Sequence, residues 1–224
     1  MNTNIYKIPS GEITNIPYLE LIASFKKKII LSTGMSTLKE ITKAVNTLYE
    51  HGLKKKDLIL MQCTSNYPTK INNANLDVIK IFKKKFKINI GFSDHTKEIE
   101  TPIFAIFKGA TLIEKHITLD NNDDGPDHKA SLDIKNFEKM VLMIRNYSLV
   151  NGSKIKRPNK EEIKNSLLVR KSIVAKRKIK KGEKFTDNNL TCKRPGNGMQ
   201  PEKLQKLIGK ISKKNYEQNQ QIKI

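Results

Sequence analysis

Ile88-Asn89-Ile90-Gly91-Phe92-Ser93-Asp94-His95-Thr96, followed after a short intervening segment by Thr111-Leu112-Ile113-Glu114-Lys115-His116, is the stretch that decides the fold. Each half opens on a short β-rich apolar run and ends on hydroxyl, carboxyl, amine and imidazole groups. The same grammar occurs three times earlier. Ile5-Tyr6-Lys7-Ile8 leads to Ser10-Gly11-Glu12, Ile29-Ile30-Leu31 to Ser32-Thr33-Gly34-Met35, and Leu58-Ile59-Leu60-Met61 to Cys63-Thr64-Ser65-Asn66-Tyr67-Pro68. Between these runs the apolar period changes to three and four. Leu38, Ile41, Ala44, Val45 and Leu48 form one helical stripe that stops at His51-Gly52; Ile79, Phe82 and Phe86 form another; Phe137, Val141, Ile144 and Tyr147 form a third. Strands spaced by about 30 residues with helices between them read as βα units of a parallel sheet.

The strand ends carry the functional information. N-caps favour Ser, Thr and Asp, so one polar strand-to-helix turn has no weight. Five in succession, with two His and one Glu among them, point to the C-terminal rim of a (β/α)₈ barrel, where catalytic groups converge. The fold class expected is therefore α/β: a partial TIM barrel of about five βα units over residues 1–150. Residues 151–166 turn polar and basic around Gly152 and Pro158 and read as a linker. Residues 167–224 form a second, small unit with an alternating Ser172-Ile173-Val174-Ala175 run, a turn at Lys180-Lys181-Gly182-Glu183 and the segment Arg194-Pro195-Gly196-Asn197-Gly198. So small a core is marginal alone and should dock on a partner surface.

Composition narrows the function classes. The 224 residues carry 43 Lys+Arg against 22 Asp+Glu, a formal charge of +21, yet only five of those cations are Arg. The lysines lie in short runs (Lys26–Lys28, Lys54–Lys56, Lys83–Lys85) at helix ends or before strands, where charge is solvated. With no nucleic-acid motif and no aromatic platform, the charge suits anionic small substrates better than nucleic acid. No run approaches the ~20 apolar residues that span a bilayer, and Met1 to Lys7 lacks a signal-peptide core, so no membrane partner is expected. Cys63 and Cys192 stand far apart with no C-x-x-C spacing. That excludes a cysteine zinc site or disulfide scaffold and suits a reducing cytoplasm.

Taken together, Lys7-Ile8-Pro9-Ser10-Gly11-Glu12, Ser32-Thr33-Gly34-Met35, Cys63 to Pro68, Gly91 to Thr96, Glu114 to Thr118 and Gly125-Pro126-Asp127-His128 resemble, in register, the sialic acid synthase family: N-acetylneuraminate synthase and its legionaminate and pseudaminate relatives. The second unit resembles that family's C-terminal antifreeze-like (SAF) domain, Arg194-Pro195-Gly196-Asn197-Gly198 being the most telling piece. The resemblance implies condensation of phosphoenolpyruvate with an N-acylated sugar aldehyde, N-acetylmannosamine or a diacetamido relative, to give a nonulosonic acid and phosphate.

It also implies a divalent metal, Mn²⁺ or else Mg²⁺, on His95 and His116, acting as a Lewis acid on the aldehyde carbonyl. By the same resemblance Lys7, Ser10, Ser32 and Ser93 map onto phosphoenolpyruvate contacts, with Tyr67 nearby. A phosphate and a carboxylate want one or two cations and several hydroxyl donors. Glu12 maps onto a catalytic carboxylate, Asp127 onto the sugar-binding loop, and Arg194 onto a sugar contact made in a neighbouring subunit of a domain-swapped homodimer. His51, at a helix end, and His128, in a loop, read as structural. Gly125 to Lys129 leans toward the neuraminate or legionaminate route.

Asp120-Asn121-Asn122-Asp123-Asp124-Gly125 imitates an EF-hand start, but position twelve is Ser131, not Glu, and the calcium reading fails. A complete barrel needs eight βα units and about 250 residues. Five strands cannot close and would leave open edges, so the chain is expected to represent the C-terminal part of such a barrel, to fold poorly alone and to show little synthase activity. Two other readings stay open: a Schiff-base aldolase using a strand-end lysine such as Lys7, and a binding module or inactive remnant.

Overall fold

The structure is a computed structural model describing residues 3–223, and it divides into two units, Met1–Gly152 and Ser153–Ile224. In the first, β1 (Ile5–Ile8), α1 (Ile16–Ser24), β2 (Lys28–Ser32), α2 (Leu38–Glu50), β3 (Leu58–Cys63), α3 (Val78–Phe86), β4 (Asn89–Asp94), α4 (Thr101–Lys108) and β5 (Leu112–Lys115) alternate along the chain. The strands form one curled parallel sheet in the order β1-β2-β3-β4-β5, so β1 and β5 are its edges. This is the partial barrel expected, with every strand where the apolar runs stand. A two-stranded parallel pair, β6 (Ile117–Thr118) and β7 (Leu132–Asp133), follows, and α5 (Ile134–Asn151) closes the unit.

Alternation sorts the strand residues. Ile8, Ile29, Leu31, Leu58, Leu60, Ile90 and Phe92 face the helices and pack with Leu19, Ile41, Val45, Leu48, Ile79 and Phe82 into the main core. The opposite face carries Lys7, Ser32, Cys63, Ser93 and Glu114. The helix stripes read from the sequence are the buried ones in α2 and α3, except for Leu38, which stands exposed in the first turn of α2. In α5 the stripe Phe137-Val141-Ile144-Tyr147 is only half-buried, and Met140 beside it is fully buried. Local signals set the boundaries: Thr37 and Glu40 close a capping box at the start of α2, and Lys83 to Lys85 occupy the last turn of α3.

In the second unit α6 (Lys160–Val169) precedes the antiparallel pair β8 (Ser172–Ala175) and β9 (Leu190–Lys193), and α7 (Leu204–Leu207) follows. Ile173, Ala175, Ile179, Phe185, Leu190, Leu207, Tyr216 and Ile222 make its small core. Here the sequence reading needs correction: residues 151–166 are not all linker. Asn159 accepts from the Glu162 N–H at 2.8 Å and Glu162 accepts from the Asn159 N–H at 2.8 Å, which starts a helix inside that stretch. Among the described residues no helix is long and apolar enough to cross a membrane.

Leu60 is fully buried at the centre of the sheet-helix core. Leu60→Ala should lower the unfolding free energy by about 3 kcal/mol, read as a reduced urea midpoint with an unchanged m-value.

Candidate active site

A cavity of about 520 Å³ opens at the C-terminal ends of the strands, lined by Lys7, Ser10, Ser32, Cys63, Tyr67, Ser93, His95, Glu114 and His116 among others. Seven of the residues singled out from the sequence thus meet in one place, although they come from five strand ends and the loops behind them. The reason is the sheet register: Cys63 pairs with Ser93, and Ser93 with Glu114, so side chains of one parity line up across adjacent strands.

Lys7 donates to both oxygens of Glu114, at 2.8 and 2.7 Å, and the Ser93 hydroxyl donates to Glu114 Oε1 at 2.7 Å. Burial pushes the Glu114 carboxyl up, but the Lys7 ammonium and the Ser93 hydroxyl outweigh it and hold the group below its ordinary value. Glu114 stands within a motif quoted above, yet the sequence reading gives it no role. Its signal is the i, i+2 spacing to His116, which puts both on one strand face.

His95 is 6 % exposed, and its Nδ1 lies 2.7 Å from the Thr64 carbonyl. A carbonyl only accepts, so Nδ1 carries the proton and Nε2 is left with its lone pair. Nε2 is 3.4 Å from the Ser93 hydroxyl. Desolvation lowers the His95 pKa, which keeps the ring neutral. The His116 ring centroid is 5.4 Å away, tilted by 72°, and its Nδ1 is 3.6 Å from Asp127 Oδ2. Tyr67 stacks against His95 at 4.1 Å and meets His116 edge-on at 5.6 Å. Burial first, then the nearby Cys63, Asp127 and Glu114, raise the Tyr67 pKa and keep its phenol protonated. Two imidazoles, one with its tautomer fixed by a backbone carbonyl, suit a borderline metal ion. Among the described residues no three His, Cys, Asp or Glu side chains cluster to hold one, so water or substrate oxygens would complete the shell.

The Gly34 N–H points at both Ser10 Oγ (2.9 Å) and Cys63 Sγ (3.1 Å), which are themselves 3.3 Å apart. A β-carbon on Gly34 would stand 2.1 Å from Ser65 Oγ and 2.9 Å from Ser10 Oγ, so only glycine lets these hydroxyls approach so closely. Glu12 is not in the cavity lining; it lies in the 3₁₀ turn after β1, where Asn15 Nδ2 donates to it at 2.7 Å. Arg194 belongs to the second unit, where its Nε donates to the Val169 carbonyl at 2.9 Å. His51 and His128 hydrogen-bond locally, to the Thr47 carbonyl (2.9 Å) and the Thr118 hydroxyl (2.7 Å). The acidic loop is tied to itself, with Asn121 donating to the His128 and Ser131 carbonyls at 2.8 Å each.

Donors, a carboxylate and two imidazoles facing one cavity at parallel strand ends are the layout of an α/β-barrel active site. The chain belongs to the NeuB family, whose model matches residues 1–156, and residues 170–223 match the SAF domain. It is 47 % identical to the N,N'-diacetyllegionaminic acid synthase of Campylobacter jejuni, over 100 % of this chain and 67 % of that protein. It is 41 % identical to the N,N'-diacetyllegionaminic acid synthase of Legionella pneumophila, over 91 % of this chain and 58 % of that protein. Among solved structures, N-acetylneuraminic acid (sialic acid) synthetase from Leptospira borgpetersenii, in complex with citrate, aligns with TM-score 0.66 and 35 % identity, covering 73 % of this chain and 56 % of that one. The chain thus spans 58–67 % of the length of these curated relatives.

Two outcomes follow from this geometry. Gly34→Ala should displace Ser10 and Ser65 and lower the melting temperature by several degrees, about 1–3 kcal/mol of overpacking. For His95, the folded pKa lies below the ordinary 6.5, so below pH 6.5 the unfolded chain binds the extra proton first. Stability should therefore be retained above pH 6.5 and fall as pH drops through the lower folded value; His95→Gln should flatten that slope in urea midpoints measured from pH 7.5 to 4.5.

Proposed function

We propose that this chain carries the catalytic rim of a nonulosonic acid synthase, which joins phosphoenolpyruvate to an N-acylated sugar aldehyde and releases phosphate. The observation that carries this reading is the convergence of Lys7, Ser10, Ser32 and Ser93 with two imidazoles on one cavity. In the reaction the methylene carbon of phosphoenolpyruvate bonds to the aldehyde carbon, the aldehyde oxygen takes a proton, water adds at the enol carbon, and the C–O bond to phosphate breaks, so that phosphate leaves and the added oxygen, its protons released, becomes the keto group. Lys7 and the serine hydroxyls supply the cation and donors that a phosphate or carboxylate needs, and an incoming anion competes with Glu114 for Lys7 and Ser93. His95 and His116 would hold a divalent ion, Mn²⁺ or Mg²⁺. When bound, such an ion supplies Lewis-acid polarisation of the aldehyde.

Lys7 is engaged as an ammonium on both Glu114 oxygens, which suits anion binding better than Schiff-base formation. Asp127, 3.6 Å from His116, would accept from sugar hydroxyls. Glu12 is assigned to the water-addition step, one turn outside the cavity lining. Arg194 would reach the N-acyl group from a second copy in a domain-swapped homodimer. Both cysteines are free thiols, which suits a cytoplasmic setting. The relatives named above make a diacetamido sugar the first acceptor to try.

Calorimetric titration should show phosphoenolpyruvate binding that Lys7→Met and Ser93→Ala each weaken by about tenfold or more, and that inorganic phosphate competes away. Phosphate release, low for the chain alone, should require the sugar, cease with a chelator, return with Mn²⁺, and be lost in His95→Ala. Absence of phosphoenolpyruvate binding, or borohydride trapping of a substrate on Lys7, overturns the assignment.

A further inference from the structure

Directly behind the two imidazoles, on the helix-facing side of the sheet, lies an ion pair that the chemistry above does not use. Lys115 Nζ is 2.6 Å from Asp94 Oδ2, and both side chains are 0 % exposed. Lys115 also donates to the carbonyl of Thr96 and, at 3.4 Å, to that of Glu98. Asp94 in turn accepts from the Thr96 N–H at 2.9 Å and from its hydroxyl at 3.1 Å. Asp94 and Lys115 are register partners, and they are the last pair of the β4–β5 ladder. His95 and His116 each stand one residue beyond it, where no ladder bond joins the two strands.

We propose that Asp94 and Lys115 are positioning residues that set the distance and tilt between the His95 and His116 rings. The ammonium immediately precedes His116 in the chain and reaches across to the groups that bracket His95, the carboxylate before it and the carbonyl after it. One side chain therefore fixes both backbones where the sheet's own hydrogen bonds have ended. Alternation does the rest: with Asp94 and Lys115 turned toward the helices, the next residue on each strand turns into the cavity. The pair touches neither substrate nor ion. Its part in ion binding rests on the reading of His95 and His116 as ligands; its part in ring geometry does not.

The test uses the 224-residue chain. Removing one partner leaves a buried orphan charge, whereas Asp94→Asn with Lys115→Met removes the charges together and is the milder change for folding. Thermal melts establish that the double variant is folded, and Asp94→Asn alone, which keeps the Lys115 donors to the Thr96 and Glu98 carbonyls, serves if it is not. Two readouts are compared with the unaltered chain: the imidazole ¹⁵N signals of His95 and His116, and Mn²⁺ affinity by titration. Expected are displaced signals for both rings and Mn²⁺ binding weakened about 10–100-fold in the double variant and about tenfold in Asp94→Asn. Unmoved ring signals in a folded variant overturn the proposal, as does Mn²⁺ affinity within threefold of the unaltered chain. Should the unaltered chain bind no Mn²⁺, the ligand reading of the imidazoles fails by itself, and the ring signals alone decide the positioning role.

Discussion

Everything at the site depends on the two-residue period of a strand continued one step past the end of its ladder. In β4 and β5, Ser93 and Glu114 face the cavity, Asp94 and Lys115 face the helices, and His95 and His116 face the cavity again. A slip of one residue in that register would bury the imidazoles among apolar helix side chains and turn a lysine and an aspartate into the cavity. The apolar side chains of the outer face, from Ile90 and Phe92 to Leu60, hold the register because they have nowhere else to be buried. The hydrophobic core is thus the device that aims the polar rim.

The rim's electrostatics are unlike those of the chain as a whole. A formal charge of +21 is spread over solvated lysines, whereas the cavity pairs its one strand-borne ammonium, Lys7, with Glu114. In the reading proposed above, selectivity for an anion comes from convergence of an ammonium and hydroxyl donors on one cavity more than from net charge. The carboxylate keeps the donors oriented until an anion displaces it from them. The lowered pKa of His95 fits the same environment: a buried ring stacked on Tyr67 has little water to stabilise a proton on Nε2, and this outweighs the opposite pull of the Thr64 carbonyl.

Most of this fold is legible in the sequence because local and global signals agree. The apolar runs around Ile30, Leu60 and Ile90 are strands, and the three-four stripes of α2 and α3 are the buried faces. The site is legible as a set of strand-end groups, but not as a geometry. Nothing in the order of residues tells that Lys7 finds Glu114, 107 positions away, because that contact is made by the curl of the sheet. The helix at Lys160–Val169 is hidden by its composition, since Ile163, Leu167, Leu168 and Val169 are all more than half exposed and present no buried stripe; only the Asn159–Glu162 capping box announces it. Glu12 shows the same gap between order and geometry. A motif places it next to Ser10, while the 3₁₀ turn it sits in points it toward Asn15.

The buried pair behind the imidazoles is where stability and function separate. Taking a carboxylate and an ammonium out of water costs several kcal/mol each, and their attraction returns that only when geometry and hydrogen bonding are nearly complete. Two aliphatic side chains of similar volume would serve the core as well. What they would lack is direction: an ammonium has three donors, and here they reach the Asp94 carboxylate and the carbonyls of Thr96 and Glu98 at once. A strand end that has run out of ladder partners has few other ways to be held to within a fraction of an ångström. Apolar contacts are non-directional and tolerate sliding, whereas a satisfied ion pair does not. The interaction that looks least economical in the core is therefore the one suited to fixing how far apart two imidazoles stand.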